Sequence, residues 1–409
     1  LSNQIDDRKQ MTPKERMSAM AGAAFLMATS AVGPGFLTQT AVFTETLLAS
    51  FAFVILASII LDIGAQVNIW RIVAVTRMRG QEIANAVLPG LGYILAFFIV
   101  LGGLAFNIGN VAGGGMGVNA LLGFDARIGA VMTGIICIIV FLSREANVAM
   151  DKIVRYLGAL MILLTAYVMV TSHPPYGEAA LRTFAPIEVD FFAIVTVVGG
   201  TVGGYITFAG GHRLLDAGVS GKRNLGYVTN TAITGIMVAS IMRFVLFLAV
   251  LGVVTAGFAL NPDNPTASVF QIAAGEIGFR IFGLVLWAAG ITSVIGAAYT
   301  SVSFLTTFHP AIEKYKNYWT VGFIVFSTSV FAVIGQPVTL LILAGAFNGL
   351  ILPLALGCIL FAAHKSRIVG DYKHPVWLTV FGAFVVIIMT YFGFMTLTTT
   401  IPDLWNQMF

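Results

Sequence analysis

Apolar runs long enough to cross a bilayer recur from residue 18 to residue 397, with only short polar connections between them. A hydrocarbon core needs about 20 apolar residues per helix, and backbone groups inside it must be satisfied within the protein. A β-barrel would show short alternating segments, and none dominates here. The chain is therefore expected to be an all-α integral membrane protein. Composition agrees: 58% of the 409 residues are hydrophobic and only 10% charged, where a soluble domain carries about 25%. The net charge of +4 is too small to suggest a nucleic-acid partner. Cys137 and Cys358 lie inside apolar runs, so no disulfide framework is expected. Residues 1–17 are polar and end in a capped helix start, Thr12-Pro13-Lys14-Glu15, which argues against a cleavable signal peptide.

Eleven spans are predicted, roughly 18–42, 50–76, 89–119, 127–143, 152–171, 189–211, 227–258, 270–303, 318–335, 338–363 and 376–397. Basic residues fix the orientation. The N-terminus and the even-to-odd connections hold Arg8, Lys9, Lys14, Arg16, Arg71, Arg77, Arg79, Arg144, Lys152, Arg155, Arg213, Lys222, Arg223, Lys314, Lys316, Lys365, Arg367 and Lys373. That places 18 of the 22 basic residues on one side, with the N-terminus cytoplasmic and the C-terminus outside. The expected location is a plasma membrane, the inner one if the source is a bacterium. Residues 1–17 read as a cytoplasmic segment and 18–409 as one transmembrane domain.

Two spans are interrupted. Val32-Gly33-Pro34-Gly35-Phe36 breaks the first, and Gly199-Gly200-Thr201-Val202-Gly203-Gly204 breaks the sixth. Proline lacks an N–H and glycine weakens a helix, so both sites should unwind. Unwound backbone at membrane depth survives only when buried in protein or lining a watery cavity. Broken helices at matching places in two halves point to a transporter's binding site. Five spans per half invert the second half, giving repeats over about 18–171 and 189–363 with an extra helix at about 376–397. No paired histidines, acidic cluster or nucleophile motif supports an enzyme.

At the breaks the chain resembles the NRAMP (natural resistance-associated macrophage protein) family of divalent-metal transporters. That family's first span reads roughly G-P-G-F-L-x-A-x-x-x-x-D-P-G-N; here Gly22-Ala23-Ala24-Phe25-Leu26-Met27-Ala28 continues to Gly33-Pro34-Gly35-Phe36. Its sixth span reads G-A-T-V-M-P-H, matched by Gly199-Gly200-Thr201-Val202-Gly203-Gly204-Tyr205. Asn107-Ile108-Gly109-Asn110-Val111 stands where the family has D-L-A-E-V. The resemblance implies the LeuT-like five-plus-five inverted repeat, with broken helices 1 and 6.

The departures from the family pattern are informative. The family's aspartate falls at Gly33, its asparagine at Phe36 and its methionine at Gly203, so the side chains that would ligate a bare transition metal are missing together. Its sixth-span histidines fall at Tyr205 and Gly210, and its third-span acids at Asn107 and Asn110. The pattern is similar to the NRAMP-related magnesium transporters. It implies Mg2+, with Mn2+, carried largely hydrated, poor carriage of Ca2+, and no proton coupling. No cofactor is expected; the divalent cation is the substrate. The bilayer is the only other partner implied, and no obligate protein partner is evident.

The expected lining is backbone or water-mediated, at Val32, Gly33, Gly35, Gly200, Thr201, Gly203 and Tyr205. Thr38 and Gln39 are added because they follow the first break, with Gln39 one turn past Gly35. Asn107 and Asn110 share a helix face and read either as water ligands or as interhelical hydrogen bonds. Asp62 and Arg243 lie deep in spans 2 and 7, where a charge marks a pathway or an ion pair; Asp62 either lines the path or pairs with Arg243. Glu45 and Asp190 stand at outer helix ends, as an acidic vestibule or as solvated termini. A second reading keeps the fold and moves a small organic solute such as an amino acid, since glycine-broken helices hold a carboxylate as readily as a cation.

Overall fold

Pro34 cannot donate to a helix, and in the computed structural model it is the first residue of α1 (Pro34–Leu47), directly after an extended Gly33. The structure describes residues 32–306 and 308–400. The expected N-terminal segment and most of the first span's first half lie outside the described residues. The chain continues through α2 (Phe51–Thr76), α3 (Gly80–Val87), α4 (Leu91–Leu122), α5 (Ala126–Leu142), α6 (Arg144–Thr171) and α7 (Tyr176–Phe184). The second half holds α8 (Phe191–Thr201), α9 (Tyr205–Asp216), α10 (Leu225–Thr255), α11 (Pro265–Leu305), α12 (Pro310–Lys314), α13 (Lys316–Ile334) and α14 (Pro337–Ala363). Short α15 (Ser366–Val369) and apolar α16 (Val376–Met395) follow.

Among the described residues, eight helical stretches are long and apolar enough to cross a membrane. A ninth is formed by Tyr156–Thr171 with Tyr176–Phe184, bent by 106°, and Ala126–Leu142 is a shorter apolar helix. Bulky apolar side chains such as Phe97, Ile139, Phe326, Val333 and Ile387 stay exposed on outer faces, as a lipid-facing surface requires.

The halves meet through like elements. Helix α1 packs on α8, α2 on α10, α4 on α11, and α5 on α13. Each pair joins a span to its counterpart five spans later, the pattern of two inverted repeats about an axis in the membrane plane. Small residues permit the close approaches, since a Cβ leaves no room where backbones touch. A Cβ on Gly113 of α4 would run into Pro34, and one on Gly117 would lie 2.8 Å from Trp287 Cα of α11.

A directed hydrogen-bond chain closes the end of the bundle where α2 meets α16. Asn68 Nδ2 donates to Leu378 O at 3.0 Å, so its Oδ1 must accept, from His374 Nε2 at 2.7 Å. His374 Nδ1 then accepts from the Tyr372 hydroxyl at 3.2 Å, whose oxygen in turn accepts from Arg71 Nη2 at 3.1 Å. A protonated His374 would present a second donor to that hydroxyl and break the chain's direction. Burial, then the charges of Arg71 and His364, push the imidazole down to about 4. An unfolded histidine titrates near about 6.5, so between those values the unfolded chain binds more protons and stability rises with pH. The contribution is complete above pH about 6.5 and is lost as pH falls toward 4. Thermal melts of wild type and His374→Asn over that range are expected to diverge, with the wild type losing more on acidification. Parallel curves would contradict this.

Candidate functional site

The two breaks face each other inside the bundle. Helix α8 runs to Thr201, one turn further than the glycine run suggested, and the interruption is confined to Val202, Gly203 and Gly204. Val202 and Gly203 both donate to Val198 O, at 2.9 and 3.2 Å, and the next bond is Ile206 N to Gly203 O at 3.2 Å. The carbonyls from Gly199 to Val202 receive no backbone N–H from across the break. Gly204 adopts φ 52°, ψ −123°, a conformation essentially reserved for glycine. Helices α1 and α9 thus both start at mid-bundle, with their N-terminal ends and partial positive charge turned inward.

Gly33 faces two polar side chains. A Cβ there would lie 2.9 Å from Ser293 Oγ of α11 and 3.7 Å from Asn110 Oδ1 of α4. Asn110 is within hydrogen-bonding reach of the Tyr205 phenol at the start of α9, whose ring packs edge-on against Phe106 with centroids 5.7 Å apart. These contacts bring Gly33, Asn110 and Tyr205 together. Gln39 joins the breaks from the other side. Its Nε2 donates to Leu341 O at 3.3 Å, and its Oε1 lies where a Cβ on Gly200 would sit, 2.5 Å away. A Cβ on Gly35 would make only ordinary contact with Phe106 and Leu341, and Val32 is half-buried at the edge of the described residues. Thr38 is buried.

Arg243 of α10 reaches the same place. Its Nη1 donates to Thr201 Oγ1 at 3.0 Å, and its guanidinium carbon sits 4.0 Å from the centroid of the Phe36 ring. The side chain is 2% exposed, and its Nε and Nη2 have no hydrogen-bond partner. Asp62 feels the Arg243 charge, yet no ion pair joins the two among the described residues, and Asp62 Oδ1 is unpartnered. The expected direct pair does not form. Gln66, one turn beyond Asp62, donates to Ala232 O of α10 at 3.0 Å.

Other candidates lie elsewhere or point away. Gly203 is in the break, but its missing side chain points at the backbone of α8 and α14: a Cβ would come 2.5 Å from Gly199 Cα and 2.8 Å from the Asn348 carbonyl carbon. A larger residue at 203 therefore strikes backbone instead of narrowing a cavity. Asn107 donates to Ser327 Oγ of α13 at 3.0 Å, which gives it an interhelical bond of its own. Glu45 accepts from Leu260 N at 3.1 Å and ties down the α10–α11 loop. Asp190 caps α8 through Ala193 N at 2.9 Å and, with Glu188, lines an outer cleft of about 300 Å³ that Glu45 does not border.

Sequence reasoning missed Ser293, Asn348 and His212. Asn348, the one amide side chain in α14, donates to Gly102 O and Ala344 O at 2.9 Å each while its Oδ1 abuts Gly204. Its isolation in an apolar helix is the same signal that singled out Asp62 and Arg243. His212 Nε2 accepts from Gly80 N at 3.0 Å. Among the described residues no group of three His, Cys, Asp or Glu side chains is placed to hold a metal.

Comparison with known proteins agrees with this geometry. The family model described as "Natural resistance-associated macrophage protein-like" matches residues 24–399. The membrane protein YcsG of Bacillus subtilis is 60% identical over 389 residues, covering 95% of this chain and 96% of its own. A membrane protein of Haemophilus influenzae is 57% identical over 391 residues, covering 96% and 98%. Among solved structures, a mutant of the Eremococcus coleocola manganese transporter superposes with a TM-score of 0.75 at 15% identity, covering 99% of this chain and 90% of that one. MhsT in complex with L-phenylalanine gives 0.64 at 17% identity, covering 92% and 97%. At such identities the shared property is the LeuT-like fold. The chain is a membrane transporter, not an enzyme, and it belongs to the NRAMP-like family.

Proposed function

We propose that this protein carries divalent cations by alternating access, magnesium foremost and manganese with it, largely hydrated and without proton coupling. The observation that carries the reading is the chemistry between the breaks. Gln39 Oε1, Ser293 Oγ and Asn348 Oδ1 are buried oxygens without partners, and among the described residues no group of three His, Cys, Asp or Glu side chains is placed to hold a bare metal. Neutral oxygen donors and water suit magnesium and manganese, and magnesium keeps several of its waters. Arg243 works against a bare ion: a divalent charge about 8 Å away at an effective dielectric of about 20 is repelled by about 4 kcal/mol. A retained water shell keeps the ion farther from Arg243 and screens part of that repulsion, and Asp62 offsets part of the remainder. Proton linkage needs titratable groups at the site, and Tyr205, Gly210, Asn107 and Asn110 stand where the family carries them. The basic-residue bias supports a cytoplasmic N-terminus and an external C-terminus, and the bacterial sources of the relatives support an inner membrane. Flux into proteoliposomes tests the selectivity: magnesium and manganese are expected to enter and calcium poorly. Calcium entry at the magnesium rate would refute it.

One observation favours a second reading, a small organic solute bearing a carboxylate. Arg243 is a buried cation at the breaks with two N–H groups unpaired. The fold accommodates such cargo, since MhsT holds L-phenylalanine.

A further inference from the structure

We infer that Arg243, with the first turn of α1, forms a binding subsite for a small carboxylate between the two breaks. The inference rests on the second reading of the site and names the group that holds the ligand. A guanidinium offers its donors along edges, and the edge formed by Nε and one terminal nitrogen matches the two oxygens of a carboxylate. In Arg243 that edge, Nε with Nη2, has no partner, while Nη1 is held by Thr201 Oγ1 at 3.0 Å. The Phe36 ring, 4.0 Å from the guanidinium carbon, covers one face and leaves the edges open for in-plane hydrogen bonds. The side chain is thus oriented by two contacts that use neither of the free donors.

The surroundings favour an anion. Gly33 precedes α1 and Pro34 opens it, so the N–H groups of Gly35 and Phe36 fall in the first turn, where an α-helix supplies no acceptor of its own. Helix α1 therefore brings partial positive charge to the place where Arg243 meets Phe36. An arginine this deep is costly when unpaired, because its desolvation is not offset. Among the described residues Asp62 is the one carboxylate that acts on it electrostatically, and no ion pair joins the two. Residues 18–31, the part of the first span outside the described residues, contain no acidic side chain. A ligand carboxylate supplies what the chain does not. The subsite is enclosed, with Phe36, Thr201 and Arg243 each 2% exposed, so the ligand is small.

The test uses the full-length protein in nanodiscs, with thermal stabilisation as the readout and no need for transport. The probes are acetate, lactate and pyruvate in one arm and alanine, proline and phenylalanine in another, with chloride and magnesium chloride as controls. At least one carboxylate is expected to raise the melting temperature of the wild type where chloride does not. The two arms distinguish plain carboxylates from amino acids. Arg243→Gln is expected to weaken binding of that carboxylate about 30-fold or more. Arg243→Lys is expected not to restore it, since an ammonium lacks the two-donor edge. Butanedione labelling of Arg243 in the wild type, mapped by mass spectrometry, is expected to slow when the carboxylate is present, and it needs no folded variant. If no probe stabilises the wild type or protects Arg243, or if Arg243→Gln binds as tightly, the inference is overturned. Magnesium flux in the same preparation then decides separately whether the cation reading stands.

Discussion

Gly199→Ala is expected to destabilise the folded protein by about 3 kcal/mol or more, the upper range for inserting one carbon into a packed interior. The site of insertion leaves no room to relax. A Cβ on Gly199 would meet Gly345 O, Gly349 N and, at 2.8 Å, Gly349 Cα, all backbone atoms of α14. Opposite it, a Cβ on Gly349 would meet Val195 O. Helices α8 and α14 therefore touch backbone to backbone just before the break, and separating them also displaces Gln39, wedged between Gly200 and Gly345. Gly322→Ala on exposed α13, where nothing lies within 4 Å, is the control and is expected to change stability by less than about 0.5 kcal/mol. Unfolding of the two variants in mixed micelles measures the difference. Equal stabilities would mean that the α8–α14 approach is looser than described.

Gly33→Asp is expected to convert the site toward bare-ion binding. The new side chain would start 2.9 Å from Ser293 Oγ, which can rotate away, and 3.7 Å from Asn110 Oδ1, so that a carboxylate joins the neutral oxygens there. A full negative charge beside a divalent ion outweighs neutral donors in a low-dielectric site. Manganese affinity is expected to rise at least about tenfold, a difference of about 1.4 kcal/mol, while carriage of hydrated magnesium slows. Isothermal titration with manganese gives the first value and vesicle flux the second. Unchanged manganese affinity would show that Gly33 does not face the ion's position.

Much of this architecture is legible in the sequence, because apolar length and helix-breaking residues are local signals. Pro34 and Gly204 mark the starts of α1 and α9 through their own backbone restrictions. What is not legible depends on how helices cross. Gly203 reads as a lining position that has lost a ligating methionine, but a Cβ there would meet the backbone of Gly199 in α8 and Asn348 in α14, a packing that no local pattern reveals. Gln39 reads as a group near one break and proves to join both, because α1 crosses α8 at Gly200. Asp62 and Arg243 read as natural partners by charge. Among the described residues they interact by charge without an ion pair, and Arg243 is held instead by Thr201 and Phe36. Asn348 shows how a lone polar residue in an apolar helix can be found by the same rule and still be overlooked.

The most direct test of the central claim is a single vesicle experiment, with a magnesium-sensitive and a pH-sensitive dye sealed inside proteoliposomes of the wild-type protein. With Tyr205, Gly210, Asn107 and Asn110 at the positions where the family carries its proton-linked groups, the magnesium signal is expected to rise on addition of external magnesium while the internal pH stays flat. Acidification in proportion to magnesium entry, or no magnesium entry at all, would contradict the account.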